Sequence, residues 1–185
     1  CENNQFATEI AITYATRNSD FGTKAAAYGM PGVIVDGNDV AAVWQAAGEA
    51  IARAREWIVG MQSSDGGWGA VEPENTHHYL NHIPFADHGA LLDPPTADVT
   101  ARCVSFLAQV GDPADRPCIE RALAWLRSEQ MPDGSWFGRW GTNYIYGTWQ
   151  VLRGLRALKL DMSEAWIQRG GEWLRSVQHA DGGWG

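Results

Sequence analysis

Four histidines, His77, His78, His82 and His88, lie close together beside Glu74 and Asp87, and imidazoles with carboxylates are a donor set that zinc accepts. Their spacing matches no zinc pattern and the loop around them is rich in Pro and Asn, so they read as solvated loop histidines and no metal is expected. Asp98 is a second candidate. It follows Asp93-Pro94-Pro95, with Thr96 placed as the N-cap of the helix ADVTARCVSFLAQV. A carboxylate in a first helical turn is favoured by the helix dipole by about 0.3–1 kcal/mol, a reading that requires no function. Trp140, in Gly138-Arg139-Trp140-Gly141, reads as one more core aromatic whose glycine neighbours allow close backbone approach. Phe85-Ala86-Asp87 reads as a surface loop with one anchored Phe.

The elements that must position these residues follow a pattern found three times. Trp57-Ile58 is followed by Gln62 and Trp68, Trp125-Leu126 by Gln130 and Trp136, and Trp173-Leu174 by Gln178 and Trp184. An Asp-Gly turn stands between Gln and Trp in each copy: Asp65-Gly66, Asp133-Gly134 and Asp181-Gly182. The aromatic-aliphatic pair buries one helix face, Gln near the helix end can bond orphan terminal backbone groups, and Asp-Gly turns the chain. The closing Trp is expected to lie flat against the Gln amide and the neighbouring helix. Such units bury a continuous core only by stacking, so a helical repeat array is expected, with the repeat tryptophans structural.

Composition narrows the class. Of 185 residues, 45% are apolar, and ten are Trp, which implies an aromatic-lined interior or cavity. A formal charge of -8 argues against nucleic acid, whose phosphates call for clustered Lys and Arg. Three cysteines, Cys1, Cys103 and Cys118, are odd in number and lack metal spacing, which favours a reduced, cytoplasmic setting. No apolar run is long enough to span a bilayer and no signal peptide is evident. Cys1 is no natural start and Gly185 directly follows a repeat copy, so truncation at both ends is expected.

Residues 1–55 carry none of the repeat. Gly29-Met30-Pro31-Gly32 reads as a helix stop, residues 33–35 as a buried strand and Asp36-Gly37-Asn38 as the turn before an amphipathic helix, VAAVWQAAGEAIARARE. That is an α/β pattern, unlike the rest.

Those residues resemble the alpha subunit of thiamine-diphosphate-dependent 2-oxo acid dehydrogenases, through CENNQFA and AAAYGMPGVIVDGNDVAAVWQAAGEAIARAR. The resemblance implies that Asn4 ligates the Mg2+ carrying the diphosphate and that the Phe6 carbonyl is a further ligand. The Gly-Asp-Gly half of the motif is absent, and a hard cation needs several oxygens, so this remnant alone should not hold it. From Glu56 the resemblance changes. WIVGMQSSDGGWGAVEPENTHHYLNHIPFADHGALLDPPTADVTARC and DGSWFGRWGTNYIYGTW resemble squalene-hopene cyclase, and the three repeats match its Gln-Trp motif. The chain therefore reads as a chimera, with a dehydrogenase-like fragment over residues 1–55 and a cyclase-like fragment over residues 56–185. The expected fold is mainly α, a partial α/α barrel preceded by a short α/β fragment.

The cyclase resemblance implies roles. Asp98 would line the cavity and Arg102 would hydrogen-bond the catalytic acid cluster, although some members carry His there. Trp140 would face the cavity and stabilise developing carbocations through its ring quadrupole. The Tyr146 hydroxyl would help, through water, to reprotonate the acid. Phe85, Ala86 and Asp87 would narrow the substrate channel, and Val71 replaces a frequent aromatic, which weakens early cation stabilisation. The family protonates an alkene, a very weak base, with an Asp-x-Asp-Asp motif that this chain lacks. The expectation is thus a fragment of a hopanoid-forming isomerase acting on squalene, inactive alone, without cofactor and peripherally bound to membrane. The alternatives are a thiamine-diphosphate-dependent dehydrogenase fragment or a non-catalytic helical scaffold.

Overall fold

The structure, a computed structural model, describes residues 6–7, 10–11, 20–75, 77–82 and 92–184. The chain divides into two compact units, Cys1–Arg53 and Ala54–Gly185.

In the first unit β1 (Phe6–Ala7) and β2 (Ile10–Ala11) pair antiparallel, Phe6 opposite Ala11. Helix α1 (Phe21–Ala27) starts at Asp20, whose carboxylate accepts from Thr23 N at 3.1 Å. It ends as expected, with Gly29 in the left-handed region at φ +69°. Asp39 opens α2 (Val40–Gly60) by accepting from Ala41 N and Ala42 N, both at 3.0 Å. The expected strand at residues 33–35 is not there: the segment carries no strand, and Val33 and Ile34 are 62% and 71% exposed. A β-branched run becomes a strand only beside a ladder partner. Here the preceding Gly32 packs against Gly22, where a Cβ would stand 2.0 Å from the Gly22 oxygen.

The second unit is helical, with no strand among its described residues. After the 3-10 turn His78–His82 come α3 (Ala97–Val110), a second 3-10 turn (Pro113–Asp115), α4 (Arg116–Ser128), α5 (Asn143–Ala157) and α6 (Ala165–Ser176). The first two repeats thus each supply a loop and a helix pair, α3 with α4 and α5 with α6. Helices α3 and α5 approach so closely that a Cβ on Gly154 would lie 2.8 Å from the Ala101 oxygen. One core cluster joins Leu126, Trp136, Val151, Leu155 and Trp166, and another joins Trp68, Val104, Leu107, Cys118 and Ala122. Trp136 meets Trp166 edge to face with centroids 6.0 Å apart. Burying one such ring removes about 150–250 Å2 from water, about 4–6 kcal/mol in area terms.

Arg55 closes one corner, donating from Nε and Nη2 to the buried Asp115 carboxylate at 2.8 and 2.6 Å. Burial pushes the Cys103 thiol up to about 12, helped by the nearby Cys118, itself raised by burial. A thiol that stays protonated in the fold while its unfolded counterpart ionises near pH ~8.5 makes the fold bind more protons. Stability is therefore full below that pH and falls as pH rises toward 12. Urea midpoints are expected to drop between pH 8 and 11, with Cys103→Ser flattening the drop. An equal drop in the variant would clear Cys103 of the effect.

Candidate functional site

The three Gln-Trp loops share one geometry. Gln62, Gln130 and Gln178 donate from Nε2 to the oxygens of Gly66, Gly134 and Gly182 at 2.9, 2.9 and 2.7 Å. Trp68, Trp136 and Trp184 donate from Nε1 to Ile58 O, Leu126 O and Leu174 O at 2.7, 2.7 and 2.9 Å. Each ring is thereby tied to the helix that precedes it. The Gln does not cap its own helix as expected from sequence. Its second donor bond passes over the following helix to the one after it, Gln62 to Cys118 O on α4 at 2.9 Å and Gln130 to Trp166 O on α6 at 2.7 Å. Arg121 and Arg169 return the tie by donating to Gln62 Oε1 and Gln130 Oε1. In the middle loop the Ser135 hydroxyl, then its amide, hold the Asp133 carboxyl below the usual range.

Two threonines unremarked in the sequence complete the scaffold. Trp68 N donates to Thr100 Oγ1 on α3 and Trp136 N to Thr148 Oγ1 on α5, each at 2.9 Å. A buried hydroxyl on an apolar helix face is the signal that could have found them, since it must bond something.

Around the first turn of α3 this scaffold brings four candidate residues together. Thr96 occupies the N-cap position as expected, with φ -132° and ψ 152°, but its hydroxyl makes no cap bond. Thr96 N donates to Trp68 O at 3.1 Å, and the buried Thr96 Oγ1 has no partner among the described residues. Asp98 is buried and turns away from its own helix end. Its carboxylate accepts from Arg139 N at 3.3 Å and from Trp140 N at 3.1 Å, pinning the loop between Trp136 and α5 to α3. The helix-dipole reading of Asp98 is therefore incomplete.

Trp140 itself is 50% exposed, so it is not the core aromatic read from sequence. Its backbone is held while its ring remains open. The Arg139 guanidinium stands 6.0 Å from that ring, and its Nη2 donates to Leu92 O at 2.8 Å. Asp93, also buried, accepts from Ala70 N and from Val71 N, the latter at 2.9 Å, and its other oxygen lies 3.9 Å from Arg139 Nε. Asp93 thus faces the Arg139 guanidinium while Asp98 holds the backbone of the same residue. Asp93 and Arg139 were not singled out from sequence.

One helical turn along α3, on the face of Asp98, Arg102 reaches α5. With the Gln150 amide oriented oxygen-first, Arg102 Nε and Nη2 both donate to it at 3.1 Å. The guanidinium also lies 5.7 Å from the Tyr146 ring. That ring packs on bare backbone: a Cβ on Gly138 or Gly141 would stand 2.7 or 2.5 Å from its atoms. A hollow of about 450 Å3 lined by Leu107, Ile119, Leu123 and Leu160 lies apart from these four residues.

The remaining candidates divide. Phe85, Ala86, Asp87, His88 and Asn4 lie outside the described residues, and Phe6 stands in β1. Among the described residues no group of three or more His, Cys, Asp or Glu is placed to hold a metal. His77 meets Tyr79 edge to face at 5.9 Å. No helix among the described residues is long and apolar enough to cross a membrane.

The family model of the squalene-hopene cyclase C-terminal domain matches residues 33–185, and that of the dehydrogenase E1 component matches residues 1–58. The squalene-hopene cyclase of Schizosaccharomyces japonicus is 70% identical over 104 residues, 56% of this chain and 16% of that protein. That of Bradyrhizobium diazoefficiens is 56% identical over 137 residues, 74% and 21% of the two chains. That of Alicyclobacillus acidocaldarius is 50% identical over 110 residues, 60% and 17% respectively. This chain therefore spans about a fifth of the length of such relatives.

Proposed function

This chain belongs to the squalene-hopene cyclase family, and from that premise we propose that residues 56–185 form part of the α/α barrel lining a triterpene-cyclising cavity. The observation that carries the reading is the pair of bonds from Asp98 to the backbone of Arg139 and Trp140. They fix the loop that offers the open Trp140 ring, while the carboxylate spends its lone pairs on N–H groups.

Such a division suits cation chemistry. A carbocation needs negative electrostatic potential without a nucleophile that would trap it, and an indole face supplies that. In this reading Trp140 stabilises developing charge and Asp98 positions it. Arg102 and Tyr146, stacked on each other, present a hydroxyl and a guanidinium toward the acid that starts the cascade, and Phe85, Ala86 and Asp87 border the entry channel. The substrate is squalene or a similar linear triterpene, taken from a membrane to which the protein attaches peripherally on the cytoplasmic side. No metal or organic cofactor is called for. Residues 1–55 stand outside this function as a dehydrogenase-like fragment.

The initiating acid is the missing part. Protonating an alkene takes an unusually strong carboxylic acid, and no Asp-x-Asp-Asp occurs in these 185 residues. The purified polypeptide is therefore expected to form no hopene from detergent-solubilised squalene. It is expected to bind a tertiary-amine analogue of squalene, protonated in place of the carbocation, with tryptophan quenching that Trp140→Ala removes. Hopene in the extract would overturn the first statement, and unchanged quenching in the variant the second.

A further inference from the structure

We propose that Asp93 is a positioning residue for the cation site at Trp140: its charge offsets that of Arg139, whose guanidinium would otherwise repel a developing carbocation from the indole. The inference rests on the reading of Trp140 as a cation-stabilising ring. What carries it is the placing of Arg139. The guanidinium stands over that ring, 6.0 Å from its centroid, so the face left to an incoming cation is the other one. Chemistry alone would not put a permanent cation beside a ring that must stabilise a transient one. The frame does require it there. Arg139 Nη2 donates to the oxygen of the buried Leu92 at 2.8 Å and Arg139 N donates to Asp98, so the residue ties the loop of Trp140 to α3 and to the segment before it. The tie brings a positive charge with it.

Asp93 is arranged to offset that charge, and its two oxygens divide the work. Oδ2 accepts from Ala70 N and from Val71 N, the latter at 2.9 Å, which fastens the chain after Trp68. Oδ1 makes no hydrogen bond among the described residues. It is buried and faces Arg139 Nε at 3.9 Å, beyond hydrogen-bonding reach but close for two opposite charges. Fastening alone does not call for a carboxylate, because an Asn here would present one carbonyl oxygen to the same two amides. What Asn would lack is the charge on Oδ1. The Asp93 side chain is 6% exposed and that of Arg139 23%, so water screens the pair little and both charges are felt at the ring.

Asp98 acts differently. Its oxygens accept from Arg139 N and Trp140 N, which fixes where the ring stands. Asp93 leaves that geometry alone and sets the potential in which the ring works.

Two ligands of one shape separate charge from fit: squalene-length chains ending in a trimethylammonium or in a tert-butyl group. Their dissociation constants are measured by isothermal titration calorimetry on the 185-residue polypeptide. The unaltered chain is expected to prefer the cation, a preference that Trp140→Ala removes. Asp93→Asn is expected to weaken the cation about tenfold and to leave the tert-butyl compound within about twofold. Removing the guanidinium as well, in Asp93→Asn with Arg139→Gln, is expected to restore the affinity for the cation. Asp93→Asn with Arg139→Lys keeps the positive charge and is expected to stay weak. Circular dichroism reports the fold of each variant, and should the Arg139 variants unfold, the cation-to-neutral ratio in Asp93→Asn decides alone. A ratio unchanged in Asp93→Asn, whether both ligands weaken or neither does, overturns the proposal and leaves Asp93 a holder of loop shape. So does a folded Asp93→Asn with Arg139→Gln that does not recover, since the repelling charge would then not be Arg139. A chain that shows no preference for the cation, with Trp140→Ala altering neither ligand, fails at the reading of Trp140 itself and takes this proposal with it.

Discussion

Trp136→Ala is expected to destabilise the polypeptide by about 3–5 kcal/mol, while Trp184→Ala, the same motif position, stays within about 0.5 kcal/mol. The motif predicts equal importance, but burial separates them. Trp136 has no exposed surface, sits edge-on to Trp166 and is tied by Nε1 to Leu126 O and by its amide to Thr148. Removing it opens a cavity between α5 and α6 that the ridges around it cannot collapse into. Trp184 makes the same bond to Leu174 O, yet its ring remains half open to water. Urea unfolding followed by far-UV circular dichroism, at a protein concentration low enough to exclude association, gives both values. Similar losses in the two variants would mean that the repeat Trp acts through its hydrogen bond and not through its burial.

Asp98→Ala is expected to cost about 2–3 kcal/mol and to loosen Trp140. Two backbone donors, on Arg139 and Trp140, lose their acceptor, and an orphaned buried donor costs about 1–3 kcal/mol. The change also leaves Arg139 with Asp93 as the remaining buried carboxylate near it. Asp98→Asn keeps one carbonyl oxygen and is expected to fall between the two. Quenching by the protonated squalene analogue separates positioning from simple stability. It is expected to weaken in Asp98→Ala even under conditions where the variant is fully folded. Unchanged quenching in a folded Asp98→Ala would show that the Trp140 ring is placed without the carboxylate.

The parts of the fold that could be read from the sequence are those with short-range rules. Gln, Asp-Gly and Trp recur at fixed offsets because each loop is a local object, closed by bonds within a few residues. The helix stop at Gly29 is local in the same sense. Legibility fails where partners are distant. Asp98 meets residues 41 and 42 positions away, and Arg139 reaches Leu92 across 47, distances that no periodicity records. Asp93 was seen only as the residue before two prolines, and Gln150 was not seen at all. The run at residues 33–35 misled for the opposite reason: its β-branched side chains satisfy every local rule for a strand, yet a strand depends on a neighbour. Trp140 was misjudged because apolar type suggests burial, while its loop is held by the backbone and leaves the ring outside.

The repeat interval itself has a further consequence. From Trp68 to Thr100 the chain takes 32 positions, and from Trp136 to Thr148 it takes 12, although the bond made at the end is the same. The two starting intervals, 68 and 48 residues, differ by that same amount, so the longer first repeat has absorbed its extra residues wholly between its Trp and its first helix. The Gln, Trp and Asp ties of each repeat stay within its loop, return to the helix before it or reach a helix beyond this connector. Its length is thus unconstrained by the frame, and doubling such a connector costs only about 0.6 kcal/mol of closure entropy. The architecture tolerates insertion at this point as few others in a packed helical unit do. The first insertion has been put to use: it carries Val71, the histidines and Asp93, and Asp93 fastens it back to the loop that presents Trp140.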